Sequence, residues 1–285
     1  MDPQIVAQYR CTLGESARWN PVDRHVYWVD IERGRVFRYD PATGEHEICY
    51  EGDTVAALTI QTDGSLLLFG KGGAITAWCE GNLTPIIANI PAEQDTRFND
   101  VWADPAGRVF CGTMPGQDHG SRLYRLDRDG TLTLLLDQLG LANGMGISPN
   151  HETFYLTDTQ ARSITRYQYD AQTGAIHDPH VLIHVPEDGG SPDGMAVDAE
   201  GYLWSAHFGA GKLVRYDHEG RPVREVSVPA QQVTSLAFAG ADYTDAYVTS
   251  GGGDDPAANG AAAGALFHLR LDCAGMPPFL SSIRI

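Results

Sequence analysis

The chain has 285 residues, of which 42% are hydrophobic, and a formal charge of −17. That charge repels phosphate polyanions and argues against a nucleic-acid partner, and no apolar run approaches the ~18–20 residues that cross a membrane. The opening MDPQIVAQYR has no basic stretch followed by an apolar one, and the five cysteines are scattered with no CxxC pair, so a cytoplasmic protein with free thiols is expected.

In chain order, the first predicted element is a strand at about Ile5 to Tyr9. Six similar segments follow: HVYWVD from His25, SLLLFG from Ser65, RVFCGT from Arg108, TFYLTD from Thr153, YLWSAH from Tyr202 and DAYVTS from Asp245. Each is apolar and rich in β-branched or aromatic residues, which reads as a strand. Their starts are 40, 43, 45, 49 and 43 residues apart. A turn signal precedes each one, such as Asp104-Pro105-Ala106-Gly107 or Asp198-Ala199-Glu200-Gly201. Most are followed by a second alternating strand, another turn and a further strand. A period near 45 with four strands per unit predicts an all-β, six-bladed β-propeller spanning 1–285 as one domain. The N-terminal strand is expected to close the ring by pairing into the last blade, beside strands near Ala246 and Leu266. No segment carries sustained helical periodicity.

About ten residues before each of these strands lies another, and the six begin Glu15-Ser16-Ala17, Ala56-Ala57-Leu58, Asn99-Asp100-Val101, Asn143-Gly144-Met145, Asp193-Gly194-Met195 and Thr234-Ser235-Leu236. Equivalent residues of the first strands ring a propeller's central channel, so Glu15, Asn99, Asn143 and Asp193 are expected to converge. Small polar residues also start propeller strands merely to make turns. Four at one repeat phase, two of them acidic, favour a site. Two carboxylates and two carboxamides form a hard-oxygen set. Calcium or magnesium suits it, and so do manganese and iron(II). Two buried carboxylates without such an ion would repel one another until one took up a proton. Arg97 stands two residues before Asn99, on the same side of an extended segment, and can orient an oxygen-rich ligand; its plain alternative is a salt bridge to Asp100 or a neighbouring loop.

Other chemistries find no support. Gly146-Ile147-Ser148-Pro149-Asn150 fails the nucleophile-elbow pattern at its last position. The run from Ser250 to Gly264 lacks the lysine of a phosphate loop and reads as a connection between strands. His180 and His184 fall in a strand pattern, which makes them weak zinc candidates. Leu126-Asp127-Arg128-Asp129-Gly130 reads as a hairpin turn. With no cofactor motif, metal-assisted hydrolysis is the simplest remaining chemistry.

The chain resembles the family of senescence marker protein, or regucalcin, with its bacterial gluconolactonases and xylonolactonases. The resemblance covers nearly the whole chain. It rests on Leu13-Gly14-Glu15, on Arg97-Phe98-Asn99-Asp100 with Asp104-Pro105-Ala106-Gly107-Arg108 and Gly112-Thr113-Met114, on Asn143-Gly144, and on Pro192-Asp193-Gly194-Met195. It implies a six-bladed propeller and a lactonase that opens aldonolactones to aldonic acids. Glu15, Asn143 and Asp193 would ligate one divalent cation, with calcium the expected ion and zinc, manganese, iron(II) and magnesium the alternatives. Asp193 would also serve as general base, while Arg97 and Asn99 contact the sugar lactone. The family usually reads Glu-Gly-Pro where this chain has Glu15-Ser16-Ala17. Some relatives carry an acidic substrate-binding residue where this chain has Gln117, which is therefore a candidate contact. The partner expected is a small-molecule lactone and the chain is read as a monomer. The rival readings are an organophosphate or aryl-ester hydrolase on the same scaffold, and a non-catalytic calcium-binding regulator.

Overall fold

A computed structural model describes residues 2–284, and regular structure there is β except for 3-10 turns at Pro91–Glu93 and Glu187–Gly189. Strand β1 (Gln4–Gln8) is followed by four antiparallel four-stranded sheets. The first holds β2 (Gly14–Asn20), β3 (His25–Asp30), β4 (Arg35–Tyr39) and β5 (His46–Glu51), and the second β6 (Val55–Ile60), β7 (Leu66–Gly70), β8 (Ile75–Cys79) and β9 (Asn82–Ile87). The third holds β10 (Phe98–Ala103), β11 (Val109–Thr113), β12 (Ser121–Leu126) and β13 (Leu132–Leu139), and the fourth β14 (Ala142–Ile147), β15 (Thr153–Asp158), β16 (Ser163–Asp170) and β17 (Ala175–His184). The remaining strands are β18 (Ser191–Val197), β19 (Leu203–Phe208), β20 (Lys212–Tyr216), β21 (Pro222–Ser227), β22 (Gln232–Ala239), β23 (Asp245–Gly251) and β24 (Ala265–Arg270); with β1 they form an eight-stranded sheet. That sheet consists of the run β18 to β21 and the run β22, β23, β24, β1, joined through the single pair Phe208 and Gln232.

The architecture is an all-β propeller. Strand β1 pairs antiparallel with β24, Ile5 opposite Phe267 and Ala7 opposite Leu266, so the N-terminus completes the sheet begun by the C-terminal strands. The first strands pack on one another in a closed cycle: β2 on β6, β6 on β10, β10 on β14, β14 on β18, β18 on β22, and β22 on β2. Burial grades outward as this demands. Every residue of β6 and β14 is buried, whereas the outer strand β5 is largely exposed. Aromatic side chains fill the space between neighbouring sheets. Phe69 and Phe98 meet edge to face at 5.4 Å, and Phe110 lies 4.5 Å from Phe154. Such pairs add about 0.5–1.5 kcal/mol beyond their area burial.

The Asp-x-x-Gly turns have a clear physical basis. The Asp104 carboxylate accepts from the backbone N–H groups of Ala106 and Arg108, while Gly107, at φ +83°, donates to the Asp104 carbonyl. A Cβ is disfavoured at that φ. Asp198 repeats the arrangement with Glu200, Tyr202 and Gly201.

Beyond β24 the chain crosses back under the sheets. Gly275 bridges to Asp198, Ser281 runs parallel to Gln61, and the N–H groups of Ser282 and Arg284 donate to the carbonyls of Gly107 and Arg128. Met276 to Phe279 cover an apolar hollow lined by Trp19, Trp102, Ile147, Val197 and Phe238. These residues lie late in β2, β10, β14, β18 and β22. The tail therefore covers that end of the cycle of first strands.

Candidate active site

The polar residues singled out in the sequence lie early in those strands, at the other end from the tail. Glu15, Asn99 and Asn143 are each the second residue of their strands, and Asp193 is the third of β18. At this phase all six first strands are irregular against their neighbours. Register shifts fall between Glu15 and Arg18, Val55 and Ala57, Phe98 and Val101, Ala142 and Met145, Pro192 and Met195, and Val233 and Leu236. A β-bulge breaks the pleat and re-aims side chains that strict alternation would point to opposite faces. The repeated bulge explains how consecutive residues such as Asn99 and Asp100 both reach buried polar partners.

Ser16 follows Glu15 at φ +53°, a conformation that favours glycine. That is the residue where the related pattern has Gly. Here the serine hydroxyl repays part of the strain by accepting from the N–H of Leu58 at 3.1 Å. Gly144 is required for a different reason: a Cβ there would lie 2.5 Å from the carbonyl oxygen of Asp193. Only glycine lets β14 and β18 approach closely enough to join their side chains.

Asn143 and Asp193 meet directly, Asn143 Nδ2 donating to Asp193 Oδ1, and both are buried. The same amide donates to Thr159 Oγ1 at 3.1 Å, and Thr159 donates in turn to the carbonyl of Pro192 at 2.8 Å. Half-buried Glu15 accepts from the N–H of Ser16 at 2.6 Å. Among the described residues, neither Glu15 nor Asp193 forms an ion pair with an Arg, Lys or His. Burial pushes the Glu15 carboxyl up to about 7, and the charge of Asp100 adds to this against the opposing pull of the Ser16 N–H, Arg18 and Arg97. Burial also holds Asp193 well above the ordinary carboxylate range, reinforced by Glu15 and Asp100 and opposed by Asn143. The charge of Glu15 thus raises Asp193, as a close like charge does, while Asp100 raises both.

Arg97 donates to the Phe98 carbonyl at 2.8 Å and to Asn99 Oδ1 at 3.1 Å, and Asn99 donates to the carbonyl of Ala142 at 3.0 Å. Burial lowers the Arg97 pKa, against the charges of Glu32, Glu15 and Asp193. Arg97 therefore makes no salt bridge to Asp100, whose partner is Arg18 at 2.9 Å. Gln117 is exposed; its backbone N–H is held by Asp95 at 2.6 Å, and its side chain forms no hydrogen bond to this cluster. The bulges, Thr159 and the Arg18–Asp100 pair escape a reading by repeat phase alone.

Among the described residues no three His, Cys, Asp or Glu side chains form a cluster able to hold a metal. The donor set here is instead two carboxylates and a carboxamide. It fits a hard divalent cation, because neither carboxylate, half-buried Glu15 or buried Asp193, has a cationic partner, and a carboxamide turned over presents oxygen where it now presents nitrogen.

Residues 13–252 match the family described as the SMP-30/Gluconolactonase/LRE-like region. The chain is 45% identical to Pentonolactonase XacC of Haloferax volcanii, over 98% of each chain. It is 33% identical to regucalcin of Danio rerio, over 97% of each. Among solved structures, a calcium-binding protein, regucalcin, from Agrobacterium tumefaciens superposes with a TM-score of 0.91 at 26% identity, covering 100% of this chain and 98% of the other.

Proposed function

Since the chain belongs to the SMP-30/Gluconolactonase/LRE-like family, we propose that it is a metal-dependent lactonase that opens a sugar lactone to its aldonic acid. The observation that carries this reading is the meeting of Asn143 and Asp193 beside Glu15, two carboxylates withdrawn from solvent without a counter-ion, flanked by the Arg97–Asn99 pair. The relative named a pentonolactonase points to five-carbon lactones as the first substrates to try. The neighbour described as calcium-binding points to calcium as the first ion. The scaffold is read as one domain of six blades, the run β18 to β21 being the fifth and the run β22 to β24 with β1 the sixth. The closed cycle of first strands supports that count.

A divalent cation held by Glu15, Asn143 and Asp193 would supply Lewis acidity at the lactone carbonyl. The protein's own groups do the rest. Arg97, steadied by Phe98 and Asn99, keeps guanidinium N–H groups for the oxygen-rich substrate. Asp193 takes a proton from the attacking water as the new C–O bond forms at the carbonyl carbon. The ring C–O bond then breaks, the ring oxygen receives that proton, and the product leaves as a carboxylate and one proton. The exclusion of Asp193 from bulk water strengthens each of these interactions.

The test is acid release from a panel of pentono- and hexonolactones, with a phosphotriester and an aryl ester alongside. It is run after chelation and after calcium, manganese, zinc, magnesium or iron(II) is restored. Ion-restored hydrolysis that favours one or two sugar lactones is expected. A faster phosphotriester would replace the substrate class, and calcium binding without turnover of any lactone would make the protein a binding regulator.

A further inference from the structure

A third carboxylate borders the site: Asp100, buried on β10 directly after Asn99 and bonded to β2 at Arg18, three residues beyond Glu15. It is not free. Arg18, 82 positions earlier on β2, donates to Asp100 Oδ1 at 2.9 Å and also to the Val101 carbonyl at 2.6 Å, while its second terminal nitrogen donates to the Ala17 carbonyl at 2.8 Å. The guanidinium lies 5.1 Å from the centre of the Trp102 ring. Both side chains of the pair are about nine-tenths buried, at 11% and 8% exposure. Asp100 Oδ1 takes a further bond from the N–H of Val101 at 2.8 Å. Arg18 is therefore over-determined, with two carbonyls, one carboxylate and one aromatic face, and it cannot swing away to expose the acid.

Resting on the metal reading above, we propose that Arg18 sets the charge of the cation site by sequestering Asp100 in this pair, leaving two carboxylates instead of three to face the ion. The arithmetic of charge gives the consequence. With a divalent ion, Glu15 and Asp193 sum to zero, the Arg18–Asp100 pair adds zero, and Arg97 leaves the site at +1. That positive balance favours the negative charge that develops on the lactone oxygen. Without Arg18 the balance falls to zero while the attraction for the cation rises. Arg18 thus trades cation affinity for transition-state stabilisation. It is a positioning residue, since it acts through Asp100 and touches neither ion nor substrate.

Calcium titration of the metal-stripped full-length protein by calorimetry tests this, with lactone kinetics on the same samples. Arg18→Met is expected to bind calcium at least ~10-fold tighter than the unaltered chain while kcat falls at least ~10-fold. Arg18→Lys should retain both starting values most of the way. The double change Arg18→Met with Asp100→Asn should return calcium affinity to near the starting value, because the freed carboxylate is gone. Loss of a partner from a buried pair is destabilising, so the double change, which removes both charges, keeps the test readable if a single variant does not fold, and Asp100→Asn alone is a further arm. It leaves Arg18 uncompensated and should weaken calcium binding ~10-fold. Merely structural damage would lower affinity and kcat together. Unchanged or weaker calcium binding by folded Arg18→Met, a gain that survives Asp100→Asn, or unchanged binding by Asp100→Asn overturns the proposal. If the unaltered chain binds calcium and these variants do not differ from it, only the role of Arg18 falls. If the unaltered chain binds no divalent cation, the metal reading falls and takes this proposal with it.

Discussion

Replacing Asp193 with Asn should make the metal-free protein more stable and the enzyme nearly inactive. The structure supplies the magnitude. Burial and neighbouring negative charge lift Glu15 from 4.5 to about 7 and hold Asp193 well above its ordinary range. Both groups bind protons more tightly folded than unfolded. Their stabilising contribution is complete below the ordinary carboxylate range and is lost as pH rises through about 7 for Glu15. Glu15 owes its own shift to burial and Asp100, so what the substitution relieves is the buried, unpaired charge of Asp193 itself, a cost of about 3 kcal/mol. Asparagine keeps the size of Asp193 and an oxygen for the Asn143 amide, but removes one of the two repelling charges. An unfolding entropy of ~2.1 cal/mol/K per residue gives ~0.6 kcal/mol/K for a chain of this length, so relief of ~3 kcal/mol raises Tm by ~5 °C. The assay is differential scanning fluorimetry in chelator at pH 4 and pH 8. Asp193→Asn should melt up to ~5 °C above the unaltered protein at pH 8 and within ~1 °C of it at pH 4. Calcium should raise the Tm of the unaltered protein far more than that of the variant. Lactone turnover should drop at least ~10²-fold. A metal-free variant that melts at or below the unaltered protein at pH 8 would refute the view that two unpartnered carboxylates face one another here.

Other outcomes follow from the same geometry. Arg97→Met removes donors aimed at substrate and should raise KM ~10-fold or more with one cation still bound, measured by initial rates and elemental analysis. Phe98→Ala empties a fully buried site against Phe69 and should cost about 3–5 kcal/mol in denaturant melts. Gln61→Ala severs both bonds between Gln61 and Ile283, at 2.9 and 3.0 Å, and should cost about 1–3 kcal/mol and loosen amide exchange in the tail. Burial lowers the His207 pKa below 6.5, helped by Lys212 and Arg162 and opposed by its bond to the Gly189 carbonyl. Its folded form therefore prefers the neutral ring, and this part of the stability is present above 6.5 and lost as pH falls, the reverse of the carboxylates. The His207 ring resonance should titrate below that of an exposed histidine.

Much of this was legible in the chain. The six repeat segments from His25 to Asp245 match β3, β7, β11, β15, β19 and β23 to within one residue at their starts, because apolar strands and Asp-Gly turns are local signals. The N-terminal strand pairs with Phe267 and Leu266, as the need to close the ring suggested. The polar phase singled out Glu15, Asn99, Asn143 and Asp193, and of these Asn143 and Asp193 meet directly. What stayed hidden depends on pairs far apart in sequence. Nothing local to Arg18 says that its partner is Asp100 and not Glu15, three residues away. A salt bridge from Arg97 to Asp100 was one reading of the sequence, but Arg18 takes that partner and Arg97 bonds to Phe98 and Asn99. Ser16 at φ +53° shows the related glycine to be a backbone requirement met here by a serine with its own hydrogen bond. Gln117 was marked by the acidic residue some relatives carry in its place, yet it lies on an exposed loop and its side chain makes no bond to the cluster.

The most direct test of the central claim is a stoichiometric one. Calcium is titrated into metal-stripped protein at concentrations well above its Kd, and the rate of pentonolactone hydrolysis is followed at each addition. The account predicts a linear rise that breaks at one equivalent, and no rise for Glu15→Gln or Asp193→Asn. Full hydrolysis before any cation is added, persisting in stronger chelator, would contradict it.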